Sequence, residues 1–241
     1  MPKMLNGKAV RCQRRIARVR SVVLHRLFSA LYGPGARIYD RFTRLVFAGE
    51  WHRWQLTALG ALSPGGVVVE LGSDTGALAS AAAARFPIWI GLDVSPQMLA
   101  VARQRQRPPA PMFIRASAVA MPLRTGRADA VVATFPSNYV FEQRALDEVR
   151  RVLKLDGRFV VVLTGELDGV GARRRSACAL PKLLPGPNEA TEARMPSLAG
   201  FTGQWEWVRT EFGRALLYVG FPLPTQDDDC SPQPGDAGGR V

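Results

Sequence analysis

The chain has 241 residues, enough for one sizeable hydrophobic core and too few for two. Its composition, 47% hydrophobic and 22% charged, is typical of a globular protein, and no apolar run reaches the roughly 18 residues needed to cross a bilayer. Three widely separated cysteines and two histidines argue against a disulfide framework or a metal site and fit a cytoplasmic protein. The first residues also lack the pattern of a secretory leader.

Positive charge is concentrated at the start of the sequence. Residues 1–60 hold 12 of the 32 Lys and Arg side chains but only 2 of the 20 acidic ones, so they carry most of the net charge of +12. The remaining residues are nearly neutral. Because enzymes that act on nucleic acid surround their site with positive charge, this distribution argues against a nucleic-acid partner.

Residues 1–31 contain no acidic side chain and have the periodicity of an amphipathic helix. The apolar side chains recur every three or four residues, at Ile16, Val19, Val23, Leu27 and Ala30. Most of the arginines fall on the opposite side of this helix. Two interpretations remain open: an anchor that makes peripheral contact with an anionic membrane, or a helix whose apolar side covers the domain. An organelle leader, which would be richer in serine, is a third.

A second helical segment is predicted from about 37 to 61, so that residues 1–60 together form a basic N-terminal helical segment or lid. Tyr39 and Asp40 lie near its start, and Trp51 and Trp54 share one face. The two tryptophans either pack on the core or line an aromatic substrate pocket. His52 is the leading candidate for a general base, because an unperturbed imidazole with a pKa of about 6.5 exchanges protons near neutral pH.

Residues 67–76 have the pattern of a buried strand, a tight glycine turn and the start of a helix. Three valines precede Glu70, and Gly72 and Gly76 follow it. A second predicted strand ends in Asp93. An acid at the end of the second strand of a nucleotide-binding sheet accepts hydrogen bonds from ribose hydroxyls. The order of these features predicts a doubly wound α/β sheet with a nucleotide site at its strand ends.

The glycine spacing differs from the dinucleotide fingerprint, whose glycines take the first, third and sixth positions. Here the glycines take the first and fifth positions, two residues after an acid. This spacing resembles the E/D-x-G-x-G-x-G loop of class I S-adenosylmethionine-dependent methyltransferases. Later segments resemble further motifs of that family in the correct order: residues 93–99, 114–123, 128–133 and 146–162. The resemblance covers roughly residues 60–222 and is nearest to members that act on small molecules, quinones and lipids.

The resemblance implies that S-adenosylmethionine is the cofactor, and it assigns a set of residues to the cofactor site. They are Glu70, Gly72, Ser73, Gly76, Asp93, Val94, Met98, Ser117, Ala118 and Thr134. The resemblance places Glu70 near the methionine part of the cofactor, either in direct contact or through water, Asp93 on the ribose and Met98 beside the adenine. At Gly72 and Gly76 the backbone would approach the ligand where a Cβ would collide.

Two residues depart from the family pattern. Asp74 stands where the middle glycine is usual, and Asp tolerates the left-handed backbone region better than most residues, so the turn is still expected to form. Its carboxylate would attract the sulfonium and amino groups of the cofactor or repel the methionine carboxylate. Ser117 stands where many members carry an acid that binds the adenine amino group. Its hydroxyl, or the Ala118 backbone, would take over that contact.

Strands alternate with helices through the rest of the chain, which predicts a mostly parallel sheet covered on both faces. Strands are predicted near 67–71, 88–93, 112–116, 129–134, 158–164, 204–210 and 214–221, and helices near 76–86, 95–106, 142–154 and 189–199. The short link between the last two strands predicts an antiparallel hairpin. The expected fold is a seven-stranded, Rossmann-like methyltransferase domain over residues 61–223.

Two stretches fall outside this alternation. Residues 168–188 contain three consecutive arginines and several prolines, and form either a connection that contacts the substrate or a surface loop. Residues 224–241 are polar, with Pro, Gly and a run of Asp, and are expected to form a disordered tail.

Methyl transfer from a sulfonium depends on alignment of the acceptor and exclusion of water, so it needs no universal catalytic residue. Residues 134–139 follow the fourth strand, where an open sheet faces its ligands, and loosely resemble the N-P-P-Y loop of amino-group methyltransferases. Asn138 and Tyr139 are therefore candidates, beside His52, for contact with the reacting groups. A proline-kinked turn with a structural role is the alternative.

The sequence favours a methyltransferase that uses S-adenosylmethionine and acts on a small-molecule or lipid-like acceptor. The alternative is an inactive binding or scaffold protein that retains the fold but has lost the cofactor, which Asp74 and Ser117 motivate. A nicotinamide-dependent reductase of the short-chain class is disfavoured, because no tyrosine is followed four residues later by the lysine that class requires.

Overall fold

The computed structural model describes residues 36–47, 49–106, 110–168 and 197–224. In chain order its elements are α1 (Tyr39–Val46), α2 (Glu50–Gly60), β1 (Val67–Leu71), α3 (Ala77–Ala82), β2 (Ile88–Asp93), α4 (Pro96–Arg105), β3 (Met112–Arg115), β4 (Ala128–Thr134), a 3₁₀ helix (Asn138–Phe141), α5 (Gln143–Val152), β5 (Leu153–Leu167), β6 (Phe201–Thr210) and β7 (Gly213–Pro222).

The strands of the described residues form one seven-stranded sheet in the order β3-β2-β1-β4-β5-β7-β6. The first five strands of this order are parallel, whereas β7 runs antiparallel to both β5 and β6. The chain winds outward from β1 in one direction and then from β4 in the other, so the strand order reverses between these two strands. This confirms the predicted Rossmann-like fold with its C-terminal antiparallel hairpin. Ligands of such sheets bind at the carboxyl ends of the strands beside the reversal.

Successive side chains of the central strands point to opposite faces of the sheet, and apolar side chains on both faces form a hydrophobic core on each. Val68, Val132 and Val160 pack on the face covered by α2 and α3. Their neighbours Val131 and Phe159 pack on the face covered by α5. Burial on both faces explains why these strands have nearly continuous apolar sequences.

Helix α4 begins where its sequence predicts. The Ser95 hydroxyl accepts a hydrogen bond from the Met98 N–H at 3.2 Å, and Pro96 occupies the first turn, where no N–H partner is needed. This cap fixes the turn that directly follows Asp93.

The segment predicted as one helix over 37–61 is two helices, α1 and α2. Gly49 lies between them with a φ of +84°, a left-handed conformation that a residue with a side chain rarely adopts. Helix α1 is attached to the glycine turn, because the Thr75 hydroxyl donates to Asp40 at 2.7 Å. Helix α2 is attached to the β6–β7 hairpin, because the fully buried Glu50 accepts from the Thr210 hydroxyl at 2.6 Å. The two helices therefore have separate anchors.

Further elements differ from their predicted bounds, among them β6, which begins at Phe201 rather than near 204. Strand β5, predicted over 158–164, begins directly after α5 at Leu153 and continues to Leu167, because β7 pairs with it as far as Leu167. Helix α3 ends at Ala82 rather than near 86, since the chain turns there to enter β2.

Several predictions fall on residues that the structure does not describe: the amphipathic helix at 1–31, most of the connection at 168–188 and of the helix at 189–199, and the tail after 224. Residues 197–199, at the end of that predicted helix, are described and are not helical. No helix in the described ranges is both long and apolar enough to cross a membrane.

Candidate active site

A cavity of about 730 Å³ lies at the carboxyl ends of the parallel strands. Its walls come from the last residues of β1, β2 and β4, from the segments that follow β3 and β4, and from both N-terminal helices. The lining residues are Tyr39, Trp51, Leu71, Gly72, Asp74, Leu92, Asp93, Val94, Ala116, Ser117, Ala118, Thr134, Phe135, Pro136, Ser137 and Tyr139. The site therefore lies at the reversal of strand order, where this class of sheet binds nucleotides.

The glycine turn after β1 is closed by hydrogen bonds to β2. The Gly72 and Ser73 N–H groups donate to the Leu92 carbonyl at 2.8 and 3.0 Å. Gly72 and Gly76 have φ values of +69° and +74°, and Asp74 has a φ of +47°. Asp74 thus adopts the left-handed conformation expected of it, and the turn forms without the middle glycine.

Asp93 is held at the mouth of this turn by two backbone donors. One carboxylate oxygen accepts from the Asp74 N–H at 2.9 Å, and the other accepts from the Ser95 N–H at 2.8 Å. Burial raises the pKa of Asp93, and these backbone hydrogen bonds partly offset that effect. Each carboxylate oxygen has a second lone pair, so the group can also accept from two ligand hydroxyls.

The segment that carries Ser117 and Ala118 is fixed from α5. The Arg151 guanidinium donates to the Met121 and Leu123 carbonyls at 3.1 and 2.7 Å, and the Glu148 carboxylate accepts from the Met121 N–H at 2.7 Å. Glu148 and Arg151, which lie in the segment 146–162 that resembles a family motif, therefore position one wall of the cavity.

An aromatic wall forms the other side of the cavity, and we define it as Trp51 and Phe135. Their rings stack with centroids 3.9 Å apart and planes at 23°. Phe135 has a φ of +49°, a strained conformation that occurs most often at functional sites. Of the two tryptophans considered from the sequence, Trp51 lines the cavity, whereas Trp54 is buried in the core against Gly165.

Tyr139 joins the acidic and aromatic parts of the cavity. Its hydroxyl donates to the Leu71 carbonyl at 3.4 Å and lies close above Gly72. Burial raises the pKa of Tyr139, and the charges of Asp74, Asp93 and Glu70 raise it further. The phenol therefore stays protonated and can act as a hydrogen-bond donor.

The structure brings seven of the sequence-predicted residues to the cavity and leaves six elsewhere. Those that line it are Gly72, Asp93, Val94, Ser117, Ala118, Thr134 and Tyr139. Gly76 lies behind the turn, where a Cβ would collide with the Phe113 ring. Met98 packs in a buried cluster with Tyr39, and the buried Ser73 hydroxyl has no hydrogen-bond partner among the residues that the structure describes. His52 and Asn138 are exposed and do not line the cavity.

Glu70 lies beneath the glycine turn rather than in the cavity. Its carboxylate is buried and accepts a hydrogen bond from Trp89 Nε1 at 2.9 Å. Burial raises the pKa of Glu70 to about 8. The hydrogen bond from Trp89 lowers this pKa, whereas the nearby charges of Asp74 and Asp93 raise it further. Glu70 is thus hydrogen-bonded to β2 through Trp89 and is not among the described residues that line the cavity.

We expect Glu70→Gln to make stability less dependent on pH. The folded protein holds the Glu70 proton up to a pH of about 8, whereas the unfolded chain releases it near 4.5. The contribution of Glu70 to the free energy of unfolding is therefore fully present below pH 4.5 and is lost as pH rises to about 8. The total effect is up to a few kcal/mol. Glutamine keeps the Trp89 hydrogen bond without the charge. Urea unfolding of both proteins across this pH range should show the variant gaining relative stability as pH rises; parallel curves would contradict the expectation.

Other lining residues were not named as site residues from the sequence, although several lie within segments that resemble family motifs. They include Leu71 and Leu92, which are the last apolar residues of β1 and β2, and Ala116, Pro136 and Ser137, which follow β3 and β4. Their common feature is position just at or after the carboxyl end of a parallel strand. That rule, applied to every predicted strand, would have identified them.

The chemistry of the cavity fits S-adenosylmethionine. Asp93 offers acceptors for the ribose hydroxyls, and the open backbone at Gly72 leaves room that a side chain would fill. The lining includes two carboxylates, from Asp74 and Asp93, and no Lys, Arg or His among the described residues. Such a cavity favours a ligand with a positively charged sulfonium and amino group.

Comparisons with known proteins agree with this fit. A family model for a methyltransferase domain matches residues 69–161. Demethylmenaquinone methyltransferase of Thermus thermophilus is 31% identical over 213 residues, covering 76% of this chain and 95% of that protein. The Clavibacter sepedonicus protein of the same name is 33% identical over 137 residues, covering 55% of this chain and 56% of that protein. The chain thus spans little more than half of the second relative.

The fold is also found in solved structures. The crystal structure of a proposed S-adenosylmethionine-dependent methyltransferase from Methanococcus maripaludis superposes with a TM-score of 0.56 at 17% identity, covering 81% of this chain and 96% of that one. At this identity the likeness concerns the fold alone. The family is shown by the Thermus protein, which is 31% identical and of which this chain covers 95%: the chain belongs to the class I S-adenosylmethionine-dependent methyltransferases.

Proposed function

We propose that the protein transfers a methyl group from S-adenosylmethionine to a ring carbon of a quinol with a lipid-like tail. The proposal is supported by relatives from Thermus thermophilus and Clavibacter sepedonicus that are named demethylmenaquinone methyltransferases, and by a Syntrophotalea carbinolica relative named as a quinone-biosynthesis C-methyltransferase. The observation that carries it is the aromatic wall of Trp51 and Phe135, which faces the same cavity as Asp93.

The cavity suits an acceptor that is planar and uncharged. Flat rings pack well on aromatic side chains, and the wall supplies such a surface. The carboxylates of Asp74 and Asp93, with no cationic lining residue among those described, would repel an acceptor that carries phosphate or carboxylate. A reduced quinone ring meets both requirements, and its hydroxyls make the ring carbon electron-rich.

The cofactor, when bound, supplies a methyl group activated by a sulfonium. The protein's own residues provide alignment and exclusion of water. Asp93 orients the ribose, Trp51 and Phe135 restrict the plane of the acceptor, and the protonated Tyr139 offers a donor beside Gly72. His52 lies outside the cavity. Partial burial of its ring lowers its pKa, a hydrogen bond with Gln55 opposes this effect, and the charge of Arg44 acts in the same direction as burial. The base that removes the ring proton is therefore not assigned to His52.

The direct test is an assay with purified protein, S-adenosylmethionine and a short-tailed demethylmenaquinol kept reduced. Mass spectrometry of the product should show one added methyl group on the ring carbon. A phosphorylated isoprenoid serves as the anionic comparison and should remain unmethylated. Methylation of the anionic acceptor but not the quinol would contradict the proposal.

Trp51→Ala should raise the KM for the quinol about tenfold, because it removes one ring of the aromatic wall. The Kd for the cofactor should stay within about twofold, since the ribose contact at Asp93 is intact. Trp51→Phe, which retains a ring, should recover most of the loss. Trp207→Ala is the matched control, because Trp207 lies on β6 against Arg214, outside the cavity. Equal KM changes in Trp51→Ala and Trp207→Ala would argue against an acceptor contact.

We also propose a cytoplasmic location with peripheral membrane contact through residues 1–31. The basic amphipathic pattern of these residues supports this, and a lipid-like acceptor would be found in the membrane. Flotation on anionic vesicles with and without residues 1–31 tests the contribution of this segment, and equal flotation of the two forms would contradict it.

A further inference from the structure

Helix α1 has two chemically different faces. The inner face packs on the domain through buried residues such as Tyr39 and Thr43. The opposite side, which we call the outer face of α1, is exposed. It consists of Arg41, Arg44 and Leu45, together with Arg37 and Ile38 in the turn just before the helix. Spacings of three and four residues place Arg41, Arg44 and Leu45 on one arc of the helix, and the exposed Arg37 and Ile38 directly precede it.

The outer face carries three positive charges that have no acidic partner among the described residues. The acid of this helix, Asp40, is turned away from it, because it accepts from the Thr75 hydroxyl and pairs with Arg105. The guanidinium groups of Arg37, Arg41 and Arg44 are therefore available to an external anion. Arginine binds phosphate groups well because its planar donors match the phosphate oxygens.

Two large apolar side chains flank these arginines. Ile38 is 54% exposed and Leu45 is 78% exposed, on a helix that has buried apolar residues on its other side. Exposed aliphatic side chains beside arginines match the boundary between headgroups and acyl chains, where both kinds of group are accommodated. Nucleic acid would use the arginines but would gain little from Ile38 and Leu45.

We propose that the outer face of α1 is a docking surface for an anionic lipid bilayer. This surface is distinct from residues 1–31 and lies within the described residues. Tyr39, on the inner face of the same helix, lines the cavity. Docking would therefore bring the active site to within about one helix diameter, roughly 10 Å, of the bilayer. The proposal does not depend on the acceptor proposed above, since vesicle binding can be measured without cofactor or acceptor.

The test is co-sedimentation of the full chain with phosphatidylcholine vesicles, with and without phosphatidylglycerol. The unaltered protein should bind only the anionic vesicles. A variant with Arg37→Glu, Arg41→Glu and Arg44→Glu should bind roughly 100-fold more weakly, given the contribution of each basic side chain near an anionic surface. A second variant, Ile38→Ser with Leu45→Ser, should bind about tenfold more weakly. None of these residues lines the cavity, so cofactor binding by each variant serves as the check of folding.

Matched controls separate a docking surface from bulk charge and bulk hydrophobicity. Arg124→Glu, Arg127→Glu and Arg144→Glu make the same change in net charge at exposed sites before β4 and on α5. Leu155→Ser removes an apolar side chain that is 75% exposed, close to the value for Leu45. These controls should keep binding within about threefold. Unchanged binding in the α1 variants, or equal losses in the controls, would overturn the proposal. A loss that requires only the arginines would also overturn it and would indicate a nucleic acid or another purely ionic partner.

Discussion

Asp93→Ala is expected to weaken S-adenosylmethionine binding by roughly 100-fold or more, because hydrogen bonds to a charged group contribute about 1.5–3 kcal/mol each. The carboxylate would accept from the ribose while it also holds the Asp74 and Ser95 N–H groups. Its removal therefore costs ligand contacts and loosens the turn that surrounds the ligand. Isothermal titration calorimetry of the purified protein gives the affinity directly.

Two further variants make this measurement specific. Asp93→Asn keeps the shape of the side chain but turns an NH₂ group toward one of its two backbone donors, so an intermediate loss is expected. Asp156→Asn changes an exposed carboxylate outside the cavity and should leave the affinity unaltered. A folded Asp93→Ala protein that binds as tightly as the unaltered chain would show that the ribose lies elsewhere.

Asp74→Asn is expected to change the preference between two ligands more than it changes overall affinity. S-adenosylmethionine carries a sulfonium charge that its demethylated product, S-adenosylhomocysteine, lacks. A carboxylate in a cavity without cationic lining residues among those described favours the charged ligand. Removing the Asp74 charge should therefore shift the ratio of the two Kd values about tenfold toward the product. The unaltered protein would then release its product more readily than the variant.

Asp74→Gly provides the matched comparison, because Asn and Gly both tolerate the left-handed conformation at this position and both remove the charge. The two variants should show the same shift. Sinefungin, which has an amine in place of the sulfonium, should behave like the charged ligand. An unchanged ratio in both variants would refute a role for Asp74 in charge selection. Cofactor binding that appears only in Asp74→Gly would favour the scaffold alternative over an enzyme.

The central strands were predictable because their signal is local. Runs of valine and isoleucine bounded by Gly, Pro and Asp gave β1 and β2 with the bounds that the structure shows. The break at Gly49 and the length of β5 depend on distant partners. Strand β5 extends to Leu167 because β7 pairs with it, and α2 begins where Glu50 reaches Thr210. Such contacts leave no periodic pattern in the sequence.

The same distinction applies to the site. Gly72, Asp93 and Ser117 were predicted because motif spacing places them at strand ends, and all three line the cavity. The surroundings of Glu70 were not predictable, because its partner Trp89 comes from the neighbouring strand through the register of β1 with β2. The motif identified an acid near the end of β1 but did not reveal whether its side chain faces the ligand or forms a hydrogen bond with the neighbouring strand.

The break at Gly49 has a mechanical consequence. Helix α1, which precedes this residue, is hydrogen-bonded to the glycine turn through Asp40. Helix α2, which follows it, is hydrogen-bonded to the β6–β7 hairpin through Glu50. Gly49 is one of three residues between the helical spans, and it has no side chain to restrict its backbone. A change in the shape of the glycine turn can therefore alter the angle between the two helices while both of these hydrogen bonds are kept. Tyr39 and Trp51, which these helices contribute to the cavity, would then move relative to each other. The width available to an acceptor would therefore depend on the conformation of the glycine turn.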